Sequence, residues 1–569
     1  MSYDYNQLVN AAIIRAYSLI DYNIYDDIHE QHEFCKKTVL EDDSLTENEK
    51  FEAMKILIKA YDDEKIVFNT GIKRICENCN KECLATTYCE LCVRNYLKTK
   101  FSNWTSGNYD IDNLIQECQM KTFIPDRITE WIPYNNLQNI EYLTKGGFSE
   151  IYTAKWIDGN FIEWDSEEQQ LIRYGTHNVV LKRLENVENS NQSWIEEAKS
   201  HLLISNKWNE IVRCFGLTQD PSDGNYMLVM NKLDMDLRKY LQQNHKQLLW
   251  KKRIQIITNM IVALYRIHDE NAIHRDLHSG NVLFAQRSQN FEISDLGFCG
   301  PADKPLKSIY GNLPYLAPEV IIGKGHTFKS DIYGIAMLMW EISSGQPPFF
   351  NYEHNYDLAM NIVSGIRPKI VLGTPLEYEN LMKQCWDADP SKRPDIHTLW
   401  DKMSEINLFY QSQFNDQLEE NNNLEWECPE NYTSNSSSLF ASKLYQFDNL
   451  PEPRNATEEE LEAFYCKSYD FYIPDKIDNF GKSSSQKNES ILVNKDGSKN
   501  VSKVFNELPI SSEPDAQNNY HREEIIQRQR RDIYIDDEDE VHNNPNLHSD
   551  EQDELELPGG INVNDLGIM

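Results

Sequence analysis

No run of apolar residues in this 569-residue sequence approaches the roughly 18 to 20 positions that a membrane-spanning helix requires. The N-terminus, MSYDYNQLVN, lacks both the basic and the apolar region of a signal peptide. These two absences point to a soluble intracellular protein, cytoplasmic and without a membrane partner. The Asn-x-Ser/Thr triplets at Asn431, Asn455, Asn488 and Asn500 then read as chance products of a polar sequence. Positive charge is scarce as well. Against 91 Asp and Glu there are 56 Lys and Arg, a formal charge of -35, and no basic patch stands out. That balance argues against a nucleic-acid partner, whose phosphates such a surface repels.

What is present suffices for at least one large core, with 40% hydrophobic and 11% aromatic residues. The length corresponds to roughly three to four domain-sized units. Of the cysteines, Cys35, Cys118, Cys214, Cys299, Cys385, Cys428 and Cys466 are scattered singles, expected to be inert thiols in a reducing compartment. The remainder form a cluster.

Residues 1–70 read as a helical segment. In SLTENEKFEAMKILIKAYDDEK, Ser44 or Thr46 precedes acidic residues, and Phe51, Met54, Ile56, Leu57 and Tyr61 recur at helical spacing. Residues 71–125 carry the cluster, Cys76-x-x-Cys79 and Cys89-x-x-Cys92, with Cys83 between them. Each CxxC pair makes a tight knuckle that turns two thiolates toward one ion, and four thiolates suit tetrahedral zinc. Such a site leaves no open coordination position, so the expected role of zinc is structural; Cys83 is an alternative ligand. The following FSNWTSGNYDIDNLIQECQ reads as a turn at Ser106-Gly107-Asn108 and a short helix capped near Asp110 or Asp112. Trp104 and Tyr109 are positioned to dock the knuckle on a neighbour.

From residue 132 to 410 short apolar strands alternate with longer amphipathic helices. Its centre is IHRDLHSGN, Ile273 to Asn281, lying between an apolar helix and an apolar strand. A carboxylate at Asp276 can accept a proton from a hydroxyl, and a carboxamide five residues on, Asn281, can offer oxygen to a metal. The HRDxxxxN spacing gains weight from DLG at Asp295, fourteen residues beyond Asn281, and from NVVLKRL, APE and CWDADPSKRP elsewhere.

This set resembles a eukaryotic protein kinase domain, nearest the tyrosine-kinase-like group. The chain from about residue 44 to 410 is similar to an expanded family of fungal kinases in which the domain follows a cysteine knuckle and a WTSGN segment. The resemblance implies an α+β bilobal kinase fold, with an antiparallel β-rich N-lobe and a helical C-lobe. It also implies ATP and Mg as nucleotide substrate and cofactor. By the same resemblance Lys182 holds the α- and β-phosphates and pairs with Glu197, Glu196 being the second choice. Asp276 is the catalytic base, Asn281 and Asp295 are the Mg ligands, and His274 is a packing strut. Nucleotide contacts are implied at Thr144, Gly146, Gly147, Ile151, Lys182, Met230, Asn231 and Leu233. The glycine loop departs from the family: Thr144, Gly146 and Ser149 occupy the GxGxxG positions, small residues that still admit phosphates but with weaker contact. Leu296 stands where phenylalanine is commoner. A polar insertion, about Asp158 to Thr176, precedes Lys182. Ser308 and Tyr310 are candidate phosphorylation sites facing Arg275, Glu319 matches an ion-pair partner of Arg393, and Asp331 matches the aspartate that ties down the catalytic loop.

Residues 411–569 read as an acidic, mostly disordered tail, with TEEELEAFYCKSYDFYIP and REEIIQRQRRD as helical exceptions. The function expected is phosphoryl transfer from ATP to protein serine or threonine hydroxyls in intracellular signalling. Tyrosine or dual specificity is the nearer alternative. His278 and Asn312 replace the lysine and threonine usual in serine/threonine kinases, and the tyrosine-kinase AAR pattern is absent too. A pseudokinase or adaptor, binding regulatory partners through the knuckle or tail, is the more distant one.

Overall fold

Thr46 opens the longest helix of the N-terminal region through a capping box: its hydroxyl accepts the Glu49 N–H at 3.3 Å and the Glu49 carboxylate accepts the Thr46 N–H at 2.7 Å. In the computed structural model, which describes residues 2–20, 24–25, 27–145, 149–184, 193–298, 300–301, 309–412 and 441–467, this helix is α3 (Glu47–Val67), preceded by α1 (Ser2–Ser18) and α2 (Ile28–Leu40). Its buried stripe runs through Ala53 and Leu57, whereas Phe51 and Ile56 are exposed, at 61% and 41%. Periodicity thus identifies the helix, but its inward face lies partly elsewhere.

The cysteine segment contributes β1 (Arg74–Ile75), β2 (Glu82–Cys83), α4 (Glu90–Lys100) and α5 (Tyr109–Lys121). Asn108, rather than Asp110 or Asp112, caps α5, accepting the Asp110 N–H at 3.0 Å. Asp112 instead closes the WTSGN turn by accepting the Ser106 N–H at 2.7 Å. Buried Asp62 of α3 takes the N–H groups of Thr86 and Thr87 at 2.7 and 3.0 Å, tying the helical segment to the knuckle.

A six-stranded sheet forms the upper lobe. Its strands are β3 (Glu130–Trp131), β4 (Leu137–Lys145), β5 (Glu150–Trp156), β8 (His177–Arg183), β9 (Cys214–Gln219) and β10 (Tyr226–Asn231), in the order β3-β9-β10-β8-β5-β4. All its pairings are antiparallel except β3 with β9. At that parallel contact Gly216 is required: with φ +151°, a Cβ there would lie 1.8 Å from the Glu130 carbonyl oxygen. The two-residue period of β10 sends Met227 and Val229 to one face and Leu228 and Met230 to the other. The second face packs against α6 (Ser193–Ile204) and also against Ile111, Leu114, Ile115 and Cys118 of α5. Trp104 joins this cluster, so the neighbour that receives the WTSGN segment is the sheet lobe of the same chain. The polar insertion forms a hairpin, β6 (Phe161–Asp165) and β7 (Gln170–Arg173), whose Trp164 and Leu171 enter the apolar cluster of the knuckle.

The lower lobe begins with β11 (Met235–Asp236), α7 (Leu237–Asn244) and α8 (Trp250–Asp269), followed by β12 (Ala272–Ile273), β13 (Val282–Ala285), β14 (Asn290–Ile293), β15 (Gly300–Pro301) and β16 (Ile309–Gly311). Helices α9 (Pro318–Ile321), α10 (Phe328–Ser344), α11 (Tyr356–Val363), α12 (Leu376–Cys385) and α13 (Ile396–Ser412) complete it. Its core is built on α8 and α10, the latter buried along nearly its whole length. Among the described residues no helix is long and apolar enough to cross a membrane.

Within the stretch expected to be mostly disordered, residues 441–467 are ordered. They form β17 (Lys443–Tyr445) and α14 (Glu458–Lys467), and Phe447, Leu450, Ala456, Leu461 and Phe464 pack on the lower-lobe core. Composition conceals this, because the anchoring apolar residues are spread thinly among Asn, Asp and Glu. The REEIIQRQRRD segment lies outside the described residues.

Candidate active site

The loop between β12 and β13 is held from beneath by Asp331, at the start of α10. One of its oxygens accepts the His274 N–H at 2.8 Å and lies 3.0 Å from His268 Nε2; the other accepts the Arg275 N–H at 3.0 Å. This clamp fixes Arg275 in a left-handed conformation, φ 72°, that a non-glycine residue rarely adopts. His274 is fully buried, with Nε2 3.2 Å from the Ser294 carbonyl and Nδ1 3.3 Å from the Asp276 N–H. It therefore links the loop to Ser294, just beyond β14 and adjacent to Asp295.

Asp276 is buried, close enough to Asp295 for the two charges to interact. Asn281 turns its Nδ2 to the Asp276 carbonyl at 2.9 Å, which leaves the carboxamide oxygen as the group able to meet a cation. Asp295, with φ 58°, receives Lys182 Nζ at 2.6 Å and the Gly297 N–H at 3.2 Å. Burial raises the Asp295 pKa, but Lys182 outweighs it and holds the carboxyl well below the usual carboxylate range. Asp276 goes the other way: burial first, then the Asp295 charge, push it up to about 7, against hydrogen bonds from Ser442, the Asn312 N–H and Asn281. Two carboxyls in one groove are thus driven apart in acidity, one ionised for a cation and one able to take a proton. An ionised carboxylate and a carboxamide oxygen are the hard donors that magnesium accepts.

The expected nucleotide residues converge only in part within the described structure. Thr144 on β4 lies opposite Ile151 on β5, and Ile151 lies opposite Lys182 on β8. Met230 is buried beside Ala198 and Leu202 of α6, with Leu233 and Leu283 at the edge of the same cluster. The Asn231 N–H donates to the Arg213 carbonyl at 2.9 Å. Gly146 and Gly147 lie outside the described residues, as do Ser308 and the side chains of Glu196 and Glu197, whose backbones are in α6. Tyr310, a candidate phosphorylation site, is buried on β16 opposite Leu444. Arg275 is buried beside the loop. Glu319 and Arg393 form a buried two-pronged pair at 2.7 and 2.8 Å.

Two residues escaped the sequence reading. His201, four residues after Glu197 on α6, is fully buried, and burial together with the Lys182 charge lowers its pKa to about 3. Its i+4 position after the candidate pairing glutamate was the available signal. Ser442, in the ordered segment, donates to Asp276 Oδ1 at 2.8 Å, and nothing in its local sequence marks it.

In the knuckle, the Sγ atoms of Cys76, Cys79, Cys89 and Cys92 all lie within 4.8 Å of one another, with Cys76 to Cys92 at 3.7 Å and Cys79 to Cys89 at 3.6 Å. A tetrahedron with Zn–S bonds of about 2.3 Å has edges of about 3.8 Å, so this donor set fits zinc. Burial raises the Cys89 and Cys92 thiols, whereas at Cys76 the N–H groups of Cys79 and Asn78 outweigh burial and bring the thiol down to about 7. Cys83 falls in a second group with Cys89 and Glu90.

Residues 137–403 match the model of a family described as protein tyrosine and serine/threonine kinase. Among curated proteins, the chain is similar to the dual specificity protein kinase zakA of Dictyostelium discoideum, 30% identical over 211 residues, covering 33% of this chain and 27% of that one. It is similar to the dual serine/threonine and tyrosine protein kinase of Pimephales promelas, 32% identical over 197 residues, covering 33% and 21%. A third relative, the probable serine/threonine-protein kinase roco8 of Dictyostelium discoideum, is 29% identical over 227 residues, covering 37% and 12%. The chain therefore spans 12 to 27% of the length of these relatives.

Proposed function

Starting from a protein kinase domain at residues 137–403, we propose that the protein transfers the γ-phosphoryl group of ATP to serine or threonine hydroxyls of proteins, within the cytoplasm. The observation that carries this reading is the 2.6 Å Lys182–Asp295 pair set in the same groove as Asp276 and Asn281. In such transfer the protein's work is positioning and charge stabilisation, since the reacting phosphoryl group needs little covalent help. Lys182 holds phosphate oxygens, and Asp276 orients the acceptor hydroxyl and takes its proton. Asn281 and Asp295 hold magnesium, which when bound neutralises phosphate charge. Thr144, Gly146, Gly147, Ile151, Met230, Asn231 and Leu233 surround the nucleotide in this reading, and Glu197 steadies Lys182. Zinc on Cys76, Cys79, Cys89 and Cys92 serves as a structural centre for the segment that packs on the sheet lobe.

The test is phosphate transfer from Mg-ATP to casein by the full chain, compared with Asp276→Asn. A large loss in the variant, with phosphate on serine or threonine in the wild type, is expected. Equal incorporation by both proteins would leave an adaptor role, and phosphotyrosine would move the assignment to tyrosine or dual specificity.

A further inference from the structure

Ser442 stands where an acceptor hydroxyl has to be. Its Oγ donates to Asp276 Oδ1 at 2.8 Å and lies 3.2 Å from His278 Nε2, and the residue is 7% exposed. His278 Nδ1 accepts the Gly280 N–H at 3.0 Å, so in the neutral ring the proton sits on Nε2 and points at the serine oxygen. One lone pair of Oγ is thereby held, the hydroxyl proton is directed to the carboxylate, and the second lone pair is left for the groove.

The backbone around Ser442 is presented as an added strand. Lys443, Leu444 and Tyr445 pair antiparallel with Gly311, Tyr310 and Ile309 of β16, in the segment that leads from Asp295 to Glu319. Strand addition of this kind is a general way to fix the register of an extended peptide. It places a short side chain at the carboxylate; a tyrosine in the same register would carry its hydroxyl well past Asp276.

The rest of the segment is anchored away from the groove. Asn455 accepts the Ala388 N–H at 2.9 Å, Lys324 reaches Glu452 at 2.6 Å, and Phe464 stacks on Tyr352 with ring centroids 5.5 Å apart. Gly365 lets the chain lie directly on the lobe, since a Cβ there would meet Ala456 N at 2.1 Å. A segment merely filling space would not need a hydroxyl aimed at the base.

We propose that residues 441–467 are an intramolecular substrate docked on the kinase domain, with Ser442 as its phosphoacceptor. The inference rests on the phosphoryl-transfer reading and names a serine followed by a short extended stretch, Lys443 to Tyr445 here, as the substrate class. In the reaction Ser442 Oγ forms the new bond to the γ-phosphorus of ATP while the bond to the β,γ-bridging oxygen breaks. The hydroxyl proton passes to Asp276, and ADP leaves with the electron pair. The product carries a charge of about -1.5 to -2 beside Asp276 and Asp295, and this repulsion expels the segment and opens the groove to other substrates. Until then the segment occludes the acceptor site.

The experiment incubates the full chain with Mg-[γ-32P]ATP and maps phosphate by mass spectrometry. Phosphate is expected on Ser442, at an initial rate per molecule that is constant over about a tenfold range of protein concentration, as an intramolecular step requires. Ser442→Ala abolishes that site. The double variant Asn455→Ala/Phe464→Ala, altered only at the distant anchor, is expected to phosphorylate the peptide LFASKLYQFDNL, residues 439–450, on its serine about tenfold faster than wild type does. If casein is phosphorylated while Ser442 stays unmodified, the inference is overturned and the kinase reading stands. If the initial rate per molecule at Ser442 rises in proportion to protein concentration, the docking is not intramolecular and the inference is overturned. If wild type and Asp276→Asn both leave casein and Ser442 unmodified, both readings fall. The wild-type measurements need no variant to fold.

Discussion

Lys182 and Asp295, separated by 113 positions in sequence, meet at 2.6 Å across the groove. Lys182 lies on a strand of the sheet lobe and Asp295 just beyond β14 of the other, so their contact reports on both lobes. Replacing Lys182 by Met removes the cation that keeps Asp295 ionised and the ammonium available to phosphate. Loss of one such preorganised charge typically costs about a hundredfold or more in rate. Casein phosphorylation by Lys182→Met is therefore expected to fall by at least that factor with the fold intact by circular dichroism. A fall below tenfold would remove Lys182 from the catalytic set.

Glu319 and Arg393 form a buried charge contact in the lower lobe, with side-chain exposures of 8% and 0%. The guanidinium makes two further bonds, Nε donating to the Asp387 carbonyl at 2.8 Å and Nη1, besides its bond to Glu319, to the Lys329 carbonyl at 2.9 Å. Arg393→Ala leaves a buried carboxylate unpaired, which costs about 3–5 kcal/mol. Urea titration at neutral pH measures this. Arg393→Lys keeps the charge but not the planar fork, so it is expected to lie between wild type and the alanine variant.

The candidate loop was legible because its polar groups are packed into nine consecutive residues, Ile273 to Asn281. Asp276, Asn281 and Asp295 were singled out by motif spacing together with the kinase resemblance, and Asp331 and Arg393 by motifs whose partners lie far away. The helix caps were less legible: Asn108 and Asp112 sit four residues apart, and only the fold shows which caps and which closes the turn. Periodicity located α3 without fixing its inward face, since Phe51 and Ile56 share the helical spacing of Leu57 yet are exposed. Ser442 was illegible for a different reason. Its significance arises from a contact with Asp276 across 166 positions of sequence, with the anchor residues dispersed in acidic composition.

The knuckle predicts a metal requirement that reaches the sheet lobe. Its cluster includes Trp164 and Leu171 of the β6–β7 hairpin, and α5 packs beside α6 and Met230. The four thiolates converge inside that cluster, so zinc bound there would contribute to the folding free energy of the segment. Elemental analysis is expected to find one zinc per chain in wild type and much less in Cys79→Ser. Stripping the metal with a chelator is expected to lower the melting temperature and the phosphorylation rate together. Loss of zinc without any change in melting would separate the knuckle from the lobe.

His326 gives a stability prediction whose sign depends on pH. It is buried near Asp331, Arg275 and Glu319; burial first, helped by Arg275 and opposed by the two carboxylates, lowers its pKa from 6.5 to about 4. The folded protein therefore keeps the ring neutral at a pH where the unfolded chain has already taken up a proton. Above pH 6.5 both states are neutral and the residue contributes no pH dependence. As pH falls below 6.5 the unfolded state binds the proton and wild type loses about 1.4 kcal/mol per pH unit from this residue, down to the folded-state value. His326→Gln removes the titration. Whatever its stability relative to wild type at pH 7.5, the variant is expected to gain on wild type by about 1.5 kcal/mol between pH 6.5 and 5. Urea titrations of both proteins at these pH values measure the gap, and two parallel stability curves would show that His326 titrates as it does in the unfolded chain.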